Sequence, residues 1–178
     1  MDPGHITTQN QLNEWEQVNI LEAETLVSRQ YFDLVEIATL DFVKKVHRRM
    51  FGKTWRWAGQ FRTSNKNIGV DWVGIPVELR VLVDDLRYQL KNKSYPLDEL
   101  AVRFHHRLVA VHPFVNGNGR HARLMTDILL LSQGEKRFSW GRAEDLIVKS
   151  PVRKKYISAL RAADKLDYAP LLTFVKER

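Results

Sequence analysis

The sequence predicts an all-α fold interrupted by one short β-hairpin or loop, and three observations carry that expectation. Apolar residues recur at three- and four-residue spacing along most of the 178-residue chain, threonines and prolines stand where helices open, and one polar, glycine-punctuated stretch breaks the rhythm. No internal repeat, low-complexity tract or Pro/Gly/Ser-rich linker divides the chain. A single domain spanning residues 1–178 is therefore expected, with its core from about residue 12 to residue 176.

Each element has its own signal. Leu12, Trp15, Val18, Ile20, Leu21, Thr25 and Leu26 form an amphipathic pattern behind the candidate caps Thr7 and Thr8. Thr39 caps a second helix running through Phe42, Val43, Val46, His47 and Met50 to a stop at Gly52. From Arg62 to Ile75 the chain is polar, with a β-prone Asn67-Ile68-Gly69-Val70, as in a loop or short hairpin. Pro76 opens a helix through Leu79, Leu82, Val83, Leu86 and Leu90, and Pro96 opens another through Leu100, Phe104, Leu108 and Val111. Ala122, Leu124, Met125 and Ile128 through Leu131 then cover almost the whole circumference of a helix that must be central, ending at Gly134. Two further helices are expected over residues 151–163 and 170–176.

Composition narrows the chemistry. The chain is 44% apolar with eight Phe, five Trp and five Tyr, enough to bury a core, which excludes disorder as its main state. With no cysteine, disulfides, thiolate zinc sites, iron–sulfur clusters and thiol nucleophiles are excluded. No apolar run approaches the roughly 20 residues that span a bilayer, and the start carries no apolar signal core, so a cytoplasmic setting without membrane attachment is expected. The 28 basic and 21 acidic residues leave a net charge of +7, spread over many segments without a dense basic block. Nucleic acid is disfavoured as a partner on that distribution.

The informative segment is His112-Pro113-Phe114-Val115-Asn116-Gly117-Asn118-Gly119-Arg120-His121-Ala122-Arg123. Pro113 ends the preceding helix and leaves the imidazole of His112 at its terminus. Gly117 and Gly119 are both free to take positive φ, so the amides around Asn118 can turn inward as a nest that feeds the next helix N-terminus, an anion site. Arg120 and Arg123 fall on neighbouring positions of that first turn, where positive charge opposes the helix dipole by about 0.3–1 kcal/mol each unless an anion offsets it. Asn116 and Asn118 add neutral oxygens suited to a hard cation. A proton acceptor, a backbone cradle and two guanidiniums within twelve residues suit a polyphosphate and an attacking hydroxyl.

This segment resembles the signature of the Fic family, His-Pro-Phe-x-Asp/Glu-Gly-Asn-Gly-Arg-x-x-Arg, at every fixed position except Asn116. The wider chain, through Asn13-Glu14-Trp15-Glu16, Trp55-Arg56-Trp57-Ala58-Gly59, Arg103-Phe104-His105-His106 and Phe138-Ser139-Trp140-Gly141, resembles the Fic subgroup called mobile mystery protein B. The resemblance implies a Fic-type helical bundle with a β-hairpin flap at about 62–75, and transfer of AMP from ATP to a Ser, Thr or Tyr hydroxyl of a target protein. It implies His112 as general base, Phe114 as loop anchor, Gly117, Asn118, Gly119 and Arg120 on the α- and β-phosphates, and Arg123 on the γ-phosphate. The flap residues Lys66, Asn67, Ile68 and Gly69 would position the target by strand addition.

The departure at Asn116 puts an amide where the family carries an acid for Mg²⁺, implying weak metal binding. Gly119 argues against the Doc-type kinases, which carry Lys at that place. The family's inhibitory Ser/Thr-x-x-x-Glu spacing recurs at Thr173–Glu177, read as a plain terminal helix, so restraint is expected from a partner chain or an N-terminal arm. The resemblance further implies a bacterial, toxin-like or regulatory role and allows a homo-oligomer. Competing readings are a nucleotide-binding module that has lost transfer, Fic transfer of another phosphate-containing group, a basic DNA-associated protein, and a metallohydrolase built on His105, His106, His112 and His121.

Overall fold

The computed structural model describes residues 8–28, 32–141 and 150–177. Its helices are α1 (Gln9–Ser28), α2 (Leu34–Ile37), α3 (Leu40–Phe51), α4 (Ile75–Lys91), α5 (Leu97–Val111), α6 (Asn118–Ser132), α7 (Pro151–Ala163) and α8 (Ala169–Lys176). The fold is all-α, as its sequence pattern predicts. Among the described residues no helix is long and apolar enough to cross a membrane.

Local chemistry sets the helix ends. Thr8 and Gln11 form a reciprocal box, the Gln11 N–H donating to the Thr8 hydroxyl and the Thr8 N–H to the Gln11 side chain. The expected cap Thr7 and the side chains of Leu12 and Leu26 lie outside the described residues. Thr39 accepts from the Phe42 N–H at the start of α3, and Ser150 from the Arg153 N–H at the start of α7. Gly134, at φ +78°, turns the chain after α6 so that the Glu135 N–H closes on the Leu130 carbonyl.

Two hydrophobic clusters share the middle of the molecule. The larger joins α3, α4, α5 and α6 through residues such as Met50, Leu82, Leu108, Phe114 and Met125. The smaller joins α7 and α8 to one side of α5 through Val102, Tyr156, Leu171 and Phe174. Val109 and Phe138 pack against both, and α6 is buried from Leu124 to Leu130, which fixes it as the central helix.

Three expectations are corrected. The apolar stripe of α1 does not all face inward: Val18 and Leu21 are 51% and 64% exposed, while Glu16 and Asn19 are buried. The reason is polar pairing across α1, where the Asn19 amide donates to the Thr54 hydroxyl at 3.0 Å and Glu16 meets partners described below. A single turn, α2, is added, capped by Asp33. Finally, residues 62–71 form no hairpin: the arms at Arg62 and Val70 do not pair with each other, and their N–H groups donate to the carbonyls of Pro113 and Val111. A 3₁₀ turn, Trp72–Gly74, then leads into α4.

Candidate active site

The end of α5, the start of α6 and one face each of α1 and α7 enclose a cavity of about 590 Å³. That is within the range of small-ligand sites. Its wall brings together His112, Asn116, Gly117, Asn118, Gly119, Arg120 and Arg123, with Ile68 the one of the four expected flap residues to line it.

His112 is the residue at which α5 stops, and its backbone is left-handed at φ 53° and ψ 58°. A non-glycine residue adopts this conformation at a cost of about 1–2 kcal/mol, and only where its surroundings impose it. Burial pushes the imidazole pKa down, and the charges of Arg62 and Lys66 add to that push against the Val109 carbonyl. Nδ1 is buried without a hydrogen bond of ordinary geometry, and the imidazole belongs to the cavity wall.

The loop beyond it is stapled from within. The Asn118 side chain accepts from the Phe114 N–H at 2.9 Å and donates to the Phe114 carbonyl at 2.8 Å. Its amide is thus held by the loop, and its main-chain N–H remains for a ligand. Phe114 is fully buried and stacks on His47 with centroids 3.7 Å apart. Gly117 takes φ +78°, and a Cβ there would lie 2.5 Å from the Phe51 ring. Gly119 differs from its sequence reading: it is an ordinary helical residue within α6, so the turn rests on Gly117 alone. With Gly117 providing no side-chain cap, the N–H groups of Asn118, Gly119 and Arg120 have no acceptor among the described residues, while that of His121 closes on the Gly117 carbonyl. This is an uncapped helix terminus facing a cavity.

Asn116 has one lone pair of a neutral oxygen left for a cation. Its amide oxygen accepts the Gly117 N–H at 2.7 Å. Glu16 is the carboxylate on the cavity wall, and both its oxygens are committed, to Arg120 at 2.9 Å and to the indole N–H of Trp55. The residues present therefore do not fit a protein-held Mg²⁺, whose ligands are free carboxylates and water. Among the described residues no group of three or more His, Asp or Glu could hold a metal. Three of the four histidines singled out have separate partners: His105 the Tyr156 hydroxyl, His106 Asp164, and His121 the Val43 carbonyl.

The other expected residues are placed as follows. Lys66, Asn67, Ile68 and Gly69 are exposed, and Gly69, at φ +100°, lies so close to His112 that a Cβ would stand 2.7 Å from the His112 Cβ. Arg123 is largely buried beside Tyr156, which burial pushes up to about 12 while Arg123 pulls it back. Glu177, the acid of the inhibitory-type spacing, pairs with Lys155. It does not reach either signature arginine.

Sequence reasoning missed Glu16, His47 and Arg62. His47 accepts the Gly59 N–H on Nδ1 and donates from Nε2 to the Asn116 carbonyl, both at 3.0 Å, so its tautomer is fixed. Burial lowers its pKa to about 4, the Asn116 carbonyl opposing and the Arg120 charge assisting. The signal for all three was a polar residue inside an otherwise apolar or aromatic context.

Residues 37–130 match the model of the Fic/DOC family. Among curated proteins, the chain is 29% identical over 158 residues to the protein adenylyltransferase Fic of Aedes aegypti, covering 86% of this chain and 29% of that protein. The chain thus spans less than a third of that relative's length. Among solved structures, it is similar to the BepC protein of Bartonella tribocorum with bound AMPPNP, with TM-score 0.75 and 18% identity over 99% of this chain and 90% of that one. It is also similar to the N-terminal Fic domain of a Bartonella quintana effector with bound ADP, with TM-score 0.73 and 19% identity over 99% and 88%.

Proposed function

Because the chain belongs to the Fic/DOC family, we propose that it is a nucleotidyltransferase moving AMP from ATP to a Ser, Thr or Tyr hydroxyl of a target protein. One observation carries this reading: the imidazole of His112 and the uncapped amino end of α6, with Arg120 and Arg123 on its first turns, line the same cavity. The first supplies a proton acceptor, the second an anion cradle. Curated relatives bear the name protein adenylyltransferase, and the similar Bartonella structures hold AMPPNP and ADP, which supports ATP as donor.

In this reading the main-chain N–H groups of 118–120 and the Arg120 guanidinium take the α- and β-phosphates, and Arg123 takes the γ-phosphate. Val109, Ile157 and Leu160 give the cavity an apolar end for the base. The exposed loop 63–69 presents the target segment. The target oxygen attacks the α-phosphorus, its proton passes to His112 Nε2, the bond from that phosphorus to the β-bridging oxygen breaks, and pyrophosphate leaves. A depressed imidazole pKa keeps His112 neutral and proton-accepting at pH 7. Electrostatic stabilisation by the cradle amides acts on the charge developing at the transferred phosphoryl group.

The test is incubation with ATP labelled on the α-phosphate, followed by mass spectrometry of the chain and of lysate proteins. A gain of one AMP that vanishes in His112→Ala, with nucleotide binding by calorimetry retained, is the expected result. Equal labelling by the mutant would remove His112 from the mechanism. The committed oxygen of Asn116 favours one second reading, a module that binds nucleotide without transferring it. Nucleotide binding without label, unchanged in Asn116→Glu, is its signature.

A further inference from the structure

Arg62 is a cation only 2% exposed, and its guanidinium is met on three sides by main-chain carbonyls. Nε donates to the His112 carbonyl at 2.8 Å, Nη1 to the Ser64 carbonyl at 2.9 Å, and Nη2 to the Val70 carbonyl. Two backbone bonds run alongside: the Arg62 N–H donates to the Pro113 carbonyl at 2.9 Å and the Val70 N–H to the Val111 carbonyl at 3.4 Å. Residues 62 and 70, the two feet of the exposed loop, thereby clasp residues 111–113 between them. Burying a cation costs several kcal/mol unless its donors are satisfied, and no carboxylate lies within ion-pair distance of this one among the described residues. Carbonyl oxygens take its hydrogen bonds, in the planar fork that arginine has and lysine lacks, while Asp71, beyond ion-pair distance, feels its charge.

The clasp acts where the backbone is most strained. His112 stands in the left-handed region with its carbonyl turned onto Arg62 Nε, and Gly69 closes the space above it to the exclusion of any Cβ, 2.7 Å from the His112 Cβ and 2.8 Å from Arg62 Nη2. Strained backbone persists only when contacts over-determine it. Here one guanidinium supplies a contact to the strained residue and two to the loop that covers it.

We propose that Arg62 is a positioning residue for the transfer reaction inferred above, on which this assignment rests: it holds the left-handed main chain of His112, and hence its imidazole, and ties loop 63–70 to the same carbonyl. Base and target-presenting loop move as one body. The charged groups around His112 are Arg62 and Lys66 from the loop, with Asp71 coupled to Arg62, and on the cavity wall Glu16 from α1, Arg120 and Arg123 from α6, and Arg153 from α7. Of these, Arg62 and Lys66 act directly on the imidazole.

The test uses carbon-13-labelled histidine to titrate His112 by NMR, with hydrogen exchange of amides 63–70, in the wild type, Arg62→Met and Arg62→Lys. Arg62→Met is expected to raise the His112 pKa and to speed loop exchange about tenfold or more. Arg62→Lys keeps the charge but not the fork, so the titration stays near wild type while exchange still accelerates. A role through charge alone would raise the His112 pKa in the Met variant and leave loop exchange at the wild-type rate in both variants, which overturns the proposal. A folded Arg62→Met protein with wild-type titration and exchange overturns the proposal; if that variant fails to fold, unchanged exchange in Arg62→Lys does so. Neither readout needs turnover, so an inactive wild type would count against the transferase reading without obscuring this result. In active enzyme, kcat is expected to fall about tenfold or more with the KM for ATP nearly unchanged, because Arg62 touches none of the cradle amides.

Discussion

The carboxylate of Glu16 on α1 lies 2.9 Å from the guanidinium of Arg120 on α6, buried in a cavity otherwise rich in cations. Its second oxygen accepts the Trp55 indole N–H, so neither is left for solvent. Arg120 is in turn spread over the Phe51 ring, 5.0 Å from its centroid. This pair ties the first helix of the chain to the phosphate-facing turn, and it places a negative charge where an incoming polyphosphate must share the same arginine.

Glu16→Gln keeps the shape and removes the charge, and its amide oxygen can accept from only one of the two donors, Arg120 and Trp55, that the carboxylate serves. Nucleotide affinity by calorimetry is expected to rise severalfold, since Arg120 no longer divides its charge. Thermal unfolding is expected to fall by an amount matching about 1 kcal/mol, the usual worth of such a bond. Weaker nucleotide binding in a folded Glu16→Gln protein would show instead that the carboxylate orients Arg120 toward its ligand.

The two glycines of the loop separate conformational need from ligand approach. Gly117→Ala combines left-handed strain of about 1–2 kcal/mol with a clash against Phe51, so the melting temperature should drop by many degrees. Gly119→Ala meets nothing within 4 Å and sits in helix, where alanine gains about 0.5–1 kcal/mol, so stability should hold or rise. Its added methyl crowds the exposed amides, and ATP affinity should fall. Full affinity in Gly119→Ala would mean that phosphate does not rest on residues 118–120.

Three buried histidines make stability depend on pH. His47 is lowered to about 4, His105 to about 3 and His121 well below 6.5, in each case chiefly by burial. In the unfolded chain they titrate near 6.5, so between that pH and their folded values the unfolded state binds more protons. Stability is therefore full above about 6.5 and lost as pH falls toward 3. Asp127 works the other way: burial raises it from 3.8 to about 6, so its contribution is lost as pH rises through that interval and partly offsets one histidine there. Urea unfolding at pH 7.5, 6.5 and 5.5 should show a midpoint that falls with acidification. A midpoint that is flat or rises would contradict these burial assignments.

The sequence made the helices legible because their signals are local. Thr39 caps by contact with the residue three positions on, and the all-round apolar run of α6 admits only a central place. The signature loop was legible for the same reason, since Pro113 and Gly117 act on their own neighbours. What was not legible lies in long-range polar pairing. Glu16 finds Arg120 across 104 positions, and Arg62 finds His112 across 50. Such partners override the periodicity of α1, burying an acid and exposing Val18 and Leu21, because an unsatisfied buried charge costs more than an exposed aliphatic side chain gains. The missing hairpin has the same cause: the arms at 62 and 70 exchange each other for residues 111–113.

Tyr156 links the far end of the cavity to the interior of the fold. Its hydroxyl lies 2.8 Å from His105 Nε2, and His105 Nδ1 lies 3.4 Å from the Thr126 hydroxyl, which itself donates to the Ala122 carbonyl. The chain is self-consistent when His105 carries its proton on Nδ1 and the phenol donates to Nε2, which turns the phenol's lone pairs toward Arg123 beside it. Tyr156→Phe preserves the packing against Phe174 and leaves His105 Nε2 buried without a partner, at a cost of about 1–3 kcal/mol. The consequence for the site falls on Arg123. If that guanidinium grips the third phosphate, losing its oxygen neighbour weakens ATP more than ADP, and calorimetry should show the ATP-to-ADP affinity ratio fall severalfold. Equal losses for both nucleotides would place Arg123 away from the terminal phosphate and move that contact to Arg120 or to Arg153 across the cavity.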